Sequence, residues 1–359
     1  MHRRKFISTL GQAGLLATGA IAATHPVQAA GGKPRIRVGQ IGTGHAHADG
    51  KLATLRRSPD YEVVGVVESD ERLRRTAAQR KDYQGLPWLT EEQLLNTKGL
   101  QAVVVETEVK DLLSVGAHCV AAGAHLHLDK PAGESLPQFR RLLDDATRQG
   151  LTVQMGYMFR YNPAFELCFR AVREGWLGKL FSIESVMSKA VPVAERNKLL
   201  PYRGGMMFEL GCHLIDATLT MLGKPDKVTT YGRHSGQYQD DFLDNQLAVL
   251  EYPGVIVNLR STLMEVEGKV RRQFVVCGDG GTADIQPLEP GALRLALAQP
   301  RGGFKTGNQD VTFPDPPRYQ AQLADFAQCV RGEKKPAWTP AHDLAVQETV
   351  LLASGLPVT

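Results

Sequence analysis

The chain has 359 residues, 43% apolar and 22% charged, a composition that suits about two globular domains and excludes an extended disordered protein. Its formal charge of +4 includes Arg3, Arg4 and Lys5; without them the 42 basic residues fall to 39 against 38 acidic ones, so no nucleic-acid or anionic-membrane surface is expected. The five cysteines, Cys119, Cys168, Cys212, Cys277 and Cys329, lack C-x-x-C spacing, which argues against a disulfide framework or a thiolate metal site.

At the amino end, Arg3-Arg4-Lys5-Phe6-Ile7 precedes a mildly apolar run, Ser8 to Ala23, and a small-residue site at Val27-Gln28-Ala29. This layout predicts a signal peptide over residues 1–30, and the paired arginines resemble the twin-arginine class, which exports folded proteins. A membrane anchor is disfavoured because the run is short and glycine-rich. The expected location is the periplasm, reached through the twin-arginine export machinery.

Arg35 to Ile41 reads as a β-branched strand that enters a glycine turn, Gly42-Thr43-Gly44-His45-Ala46-His47, and a helical pattern follows from about Ala46 to Arg57. Strand, glycine turn and helix form the opening unit of a dinucleotide-binding fold, in which a pyrophosphate rests on backbone N–H groups. His47 replaces the third glycine of G-x-G-x-x-G, so the helix must start further out or pack through Ala46 and Ala48. Taken alone, the motif also fits a strand-turn-helix that binds nothing.

Further apolar runs at Tyr61–Val67, Gln101–Val105, His125–Leu128 and Leu151–Met155 alternate with helical spacing at Glu71–Arg80, Glu91–Leu95, Lys110–Ala122 and Leu136–Gln149. The expected solution is a Rossmann domain over residues 33–156, a doubly wound parallel sheet with helices on both faces. Glu68, after the second strand, stands where a carboxylate would accept the adenosine ribose hydroxyls and favour NAD over NADP. Arg72, Arg74 and Arg75 weaken that preference. Lys130 follows the His125–Leu128 strand at its carboxyl end, where ligands of open α/β sheets bind, and a desolvated lysine there can exchange a proton near neutral pH. The commoner fate of such a lysine is a surface turn.

Three segments carry a resemblance to the glucose-fructose oxidoreductase, inositol dehydrogenase and rhizopine-catabolism (Gfo/Idh/MocA) family. Asp129-Lys130-Pro131 resembles its Glu-Lys-Pro signature, and Met155 to Pro163 resembles the segment leaving its nucleotide domain. Gly204 to Asp216 resembles its Gly-Gly-x-x-x-Asp-x-Gly-x-His-x-x-Asp motif, with Glu209 in place of Asp. The resemblance implies Lys130, Glu209 and His213 as catalytic residues around a sugar hydroxyl. It also implies a bound NAD or NADP near Gly42, Thr43, Gly44, His45, Glu68 and Lys130, and a homo-oligomer. Arg160, Tyr202 and Asp216 join Lys130 and His213 as expected substrate contacts.

The spacing of Glu209, His213 and Asp216 places all three within reach of one helix face, an arrangement that would fix the histidine's tautomer. The pairs His45-x-His47 and His125-x-His127 are conceivable metal ligands. His125 falls in a structural Gly-x-His run of the family, and no metal site is expected. Glu106 and Glu108 have no assigned role.

From Gly175 onward, β-rich runs at Leu180–Met187, Lys227–Gly232, Asn245–Tyr252, Val255–Met264 and Val270–Cys277 predict an α+β domain over residues 157–359 with a mainly antiparallel sheet. Helices at Gln320–Val330 and His342–Ala353 are expected to brace the two domains. The loop from Val191 to Arg203 could line a polyol cleft. The leading expectation is an exported NAD(P)-dependent oxidoreductase that acts on a secondary hydroxyl of a carbohydrate and keeps its cofactor tightly bound. An NAD-dependent glycosidase working by transient oxidation, and a non-catalytic sugar- or cofactor-binding protein, are the alternatives.

Overall fold

The computed structural model describes residues 33–314 and 317–359; the expected signal peptide lies outside the described residues. Among the described residues no helix is long and apolar enough to cross a membrane.

The first half is built from β1 (Ile36–Ile41), α1 (Ala48–Arg57), β2 (Tyr61–Val67), α2 (Glu71–Ala78), β3 (Trp88–Leu89), α3 (Glu91–Leu95), β4 (Ala102–Val105), α4 (Leu112–Ala121), β5 (His125–Leu128), α5 (Leu136–Arg148) and β6 (Val153–Met155). The six strands form one parallel sheet in the order β3-β2-β1-β4-β5-β6. β4 is Ala-Val-Val-Val and buried throughout, the signature of a strand covered on both faces. Helix starts are capped as the sequence allows: Thr90 and Gln93 form a capping box on α3, and the Ser135 hydroxyl accepts from the Gln138 N–H on α5. α1 begins at Ala48, two residues later than the apolar pattern suggested, with His47 at its cap position.

The second half contains α6 (Pro163–Arg173), β7 (Leu180–Val186), α7 (Val193–Leu199), α8 (Cys212–Leu222), β8 (Lys227–Arg233), β9 (Asn245–Tyr252), β10 (Val255–Thr262), β11 (Gln273–Gly278), β12 (Gly281–Ile285), β13 (Leu293–Leu297), β14 (Gly307–Val311), α9 (Gln320–Val330) and α10 (Pro340–Ala353). Its eight strands run β14-β13-β12-β11-β7-β10-β9-β8, antiparallel except where β7 meets β10. The alternating burial of β9 and β10 puts one sheet face on the core and leaves the other outward. Helix α7 occupies the middle of what reads as a loop. Arg196 on that helix is pinned by Asp240 and Asp244, with its guanidinium over the rings of Tyr238 and Phe242.

A continuous core runs from Leu126 and Phe139 through Phe165, Phe208 and Ile215 to Phe274 and Val346. α9 closes the opposite face of the parallel sheet, where Leu323 and Phe326 pack with Ile36, Leu55 and Tyr61, and the Tyr61 hydroxyl donates to the Leu323 carbonyl. α10 reaches back through Gln347, whose side-chain oxygen accepts from the Ala132 N–H. These contacts join the two sheets around the carboxyl ends of β1, β4 and β5. Ile41 pairs with Val105 and Val105 with Leu128, so the residues just beyond those three strands meet at one edge.

Candidate active site

The glycine turn leaves β1 at that edge. Gly42 has φ of +92°, and a Cβ there would fall against the Thr107 backbone, so the turn needs glycine on two counts. The N–H groups of Gly44 and Ala46 donate to no described residue, which fits the backbone cradle of a dinucleotide pyrophosphate. Glu68 accepts from both the N–H and the hydroxyl of Thr43, at 2.7 and 2.8 Å, at the place where ribose hydroxyls would be read. The Glu108 side chain also approaches Gly44; its carboxylate pairs with Lys110 at 2.8 Å, which offsets its repulsion of a phosphate.

Beneath the turn lies a buried charged cluster. Asp129 Oδ2 is 2.9 Å from His45 Nδ1, 3.0 Å from His47 Nδ1 and 2.8 Å from Lys51 Nζ, while Oδ1 accepts from the Lys130 N–H. Lys51 also donates to Glu106 Oε1 at 2.8 Å. Gly156 makes room for the cluster, since a Cβ there would crowd Asp129 and the Lys51 ammonium. Burial opposes the charge on Lys51, but Asp129 and Glu106 outweigh it and hold the ammonium above the ordinary lysine range. Burial likewise works against ionised Asp129, and the surrounding cations and imidazoles hold it well below the carboxylate range. Glu106, desolvated and beside Asp129, is held well above it.

Burial also pushes His47 down to about 3, against the pull of Asp129. Because a carboxylate only accepts, the proton of the neutral His47 ring sits on Nδ1 and Nε2 is bare. The side-chain atoms of His45, His47 and Asp129 all lie within 4.8 Å of one another and could in principle hold a metal. Lys51 already supplies the positive charge on that carboxylate, and the convergence is accounted for by hydrogen bonding. The second histidine pair is structural. The His127 ring Nδ1 faces Gln154 Oε1 at 2.9 Å, and His125 Nδ1 accepts from the Thr152 N–H.

Lys130 is 3% exposed, and its Nζ donates to the Glu209 carbonyl at 2.8 Å across the two halves of the molecule. The carboxylate of Glu209 lies 3.4 Å from Lys189, and its Oε2 has no hydrogen-bond partner among the described residues. Burial raises the Glu209 carboxyl, but Lys189 and Lys130 prevail and keep it below its usual range. His213 is buried with Nδ1 unpartnered; desolvation, then Lys130 and His47, hold it neutral. Its ring lies 6.4 Å from His47, 6.0 Å from Tyr157 and 5.3 Å from Phe159, centroid to centroid. Tyr319, at φ of +68°, covers the cluster with its ring 5.6 Å from His47.

One expectation needs correction. Glu209, His213 and Asp216 do not share one helix face in contact, because Met207–Gly211 is a π-helical turn that rotates Glu209 toward Lys189. Asp216 instead binds Arg160, which also binds Asp343, each at 2.6 Å. All three are buried, so the cluster ties the segment after β6 to α8 and α10. Tyr202 is half-buried, its ring 6.4 Å from Phe208 and its charge environment shared with Glu209. Lys51 and Lys189 escaped the sequence reading, and Glu106 was noticed there without a role. The spacing of His47 and Lys51, one helical turn apart, was the available signal for the first of them.

Residues 36–157 match the NAD-binding Rossmann domain of an oxidoreductase family, and residues 165–284 match the GFO/IDH/MocA C-terminal domain. The Escherichia coli oxidoreductase YhhX is 27% identical over 216 residues, 56% of this chain and 61% of that protein, so the chain spans less than two thirds of it. A trans-1,2-dihydrobenzene-1,2-diol dehydrogenase of Macaca fuscata fuscata is 25% identical over 65% of this chain and 69% of its own. In fold, the UDP-N-acetylglucosamine 3-dehydrogenase GnnA of Acidithiobacillus ferrooxidans superposes with a TM-score of 0.73 at 19% identity, over 90% of this chain and 98% of its own.

Proposed function

Since the chain belongs to the Gfo/Idh/MocA family of NAD(P)-binding oxidoreductases, we propose that it oxidises a secondary hydroxyl of a sugar or sugar derivative, with Lys130 as the base. The observation that carries this reading is the placement of Lys130. Its Nζ is nearly buried at the carboxyl end of β5, between the glycine turn and the Glu209–His213 segment, and holds one hydrogen bond to a neutral carbonyl. A bound nicotinamide nucleotide supplies the hydride acceptor for such a reaction.

The rest belongs to the chain's own residues. A neutral amine at Lys130 Nζ takes the hydroxyl proton as the carbinol C–H bond breaks and its electron pair leaves with the hydride; the alcohol becomes a ketone and Lys130 an ammonium. The Glu209 carbonyl, already bound to Nζ, accepts from that ammonium and keeps it aimed. His213, neutral and with one ring nitrogen free, offers the same hydroxyl a second hydrogen bond. Asp129 fixes Lys130 from below through its main-chain N–H, and Lys51 fixes Asp129. Tyr319 and Phe159 exclude water from the histidines. The sugar-nucleotide dehydrogenase activity of the structural relative GnnA supports a carbohydrate substrate. Export through the twin-arginine pathway, as the amino-terminal segment suggests, would call for a nucleotide that remains bound between turnovers.

The test is to titrate purified protein with NAD and NADP, then follow nucleotide absorbance across a panel of sugars. The expected result is nucleotide binding and reduction by at least one sugar, lost in Lys130→Met. Absence of nucleotide binding would sink the proposal.

A further inference from the structure

The cations around the proposed reaction centre outnumber the carboxylates that serve them. Lys130 and Lys189 both approach Glu209, the first at its carbonyl and the second at its carboxylate. Arg272 and Arg318 share a single carboxylate, Glu289, at 3.8 and 3.2 Å. The two groups are neighbours: Arg272 Nε donates to the carbonyl of Ser188, the residue before Lys189, and Glu289 lies between Arg272 and Arg318. Even with Lys130 left out, because its proton is in play, three permanent cations face two carboxylates. Two of the three are held against the protein, whereas the Arg318 side chain is 53% exposed. The side chain of Arg272 is only 11% exposed and its Nε donates to the Ser188 carbonyl; that of Lys189 is 20% exposed. A desolvated guanidinium without a full counter-charge is costly, and a planar anion is the partner its forked donors fit.

We infer that the substrate is an anionic monosaccharide, a sugar acid or a sugar phosphate, whose negative group is received by Lys189, Arg272 and Arg318 while its secondary hydroxyl faces Lys130. This inference rests on the proposed sugar oxidation and names its substrate class. A neutral polyol could occupy the same cleft through hydroxyl contacts but would leave the surplus charge unmet. The sugar-acid arm and the phosphate arm share the same electrostatics and differ in geometry and charge.

The test uses the full purified protein loaded with NADH, so that binding is read without turnover. Calorimetric affinities are compared for neutral hexoses in the gluco, galacto and manno series, their uronates and their 6-phosphates. The expected result is that at least one uronate or 6-phosphate binds about tenfold or more tightly than its neutral counterpart, a margin of about 1.4 kcal/mol. That margin should shrink in Arg272→Gln and Lys189→Gln and, in the wild type, with added sodium chloride. The stronger arm identifies the anion. Neutral hexoses binding as well as the anionic forms, or no anionic form binding, would overturn the inference. Sugar oxidation with a neutral sugar preferred would leave the proposed reaction standing and remove this inference alone. If NADH fails to bind, the reaction is lost, and the same comparison on nucleotide-free protein still decides whether the cleft selects anions.

Discussion

Replacing Lys51 by Met tests the buried cluster most sharply, because it keeps the aliphatic stem and removes only the ammonium. Lys51 Nζ stands 2.8 Å from both Asp129 Oδ2 and Glu106 Oε1. At an effective dielectric of about 20, the contact with ionised Asp129 carries a gross attraction of about 6 kcal/mol, most of which is offset by the cost of burying the charges, while Glu106, held well above the carboxylate range, adds a hydrogen bond. Removing the ammonium leaves the Asp129 charge buried without its cation, and such losses measure about 3–5 kcal/mol. Equilibrium unfolding in guanidinium chloride should therefore show Lys51→Met less stable by that amount. Asp129→Asn in the Lys51→Met background should recover part of the loss, since it removes the buried charge that has lost its ammonium. A loss under about 1 kcal/mol, or no coupling between the two sites, would show that Lys51 does not hold the cluster.

Arg160→Leu should cost a comparable amount of about 3–5 kcal/mol by stranding Asp216 and Asp343, and denaturant unfolding would again read it. Gly42→Ala should abolish NAD binding while leaving the protein folded, because the turn has neither the φ nor the room for a Cβ; nucleotide titration and circular dichroism separate the two effects. The buried His127, lowered to about 3, should make the fold acid-sensitive. The unfolded chain takes up a proton there as pH falls below about 6.5 and the folded chain does not, so stability drops between about 6.5 and 3. From pH 7 to 5 the wild type should lose about 2 kcal/mol more than His127→Asn, which keeps a donor for Gln154 and does not titrate.

Most of the parallel sheet was legible because its strands are short, apolar and largely buried, and Ala102–Val105, buried throughout, can hardly be anything else; the two-residue β3 was not. The last three strands of the second sheet were not. Gly281–Ile285, Leu293–Leu297 and Gly307–Val311 are short, and the polar Gly-Asn-Gln-Asp-Val of β14 owes its extended form to pairing with β13. Lys130 was placed by the strand before it, whose carboxyl end fixes its position whatever the side chains around it do. The Lys51 cluster depends on four segments meeting, from Gly42, α1, β4 and β5, and a lysine on an amphipathic helix reads locally as a solvated face. Glu209 misled for a local reason: helical spacing assumes 3.6 residues per turn, and the π-helical turn at Met207–Gly211 breaks that count between Glu209 and His213, while Asp216, in register with His213, is taken by Arg160.

The central claim is that Lys130 takes the substrate proton. The direct measurement is the single-turnover rate of nucleotide reduction by bound sugar in Lys130→Ala against the wild type, with nucleotide affinity measured alongside. The expected result is a fall of about 10²- to 10⁴-fold at little-changed nucleotide affinity, partly reversed by an added primary amine. A rate within a few-fold of wild type would contradict it and move the base to another residue.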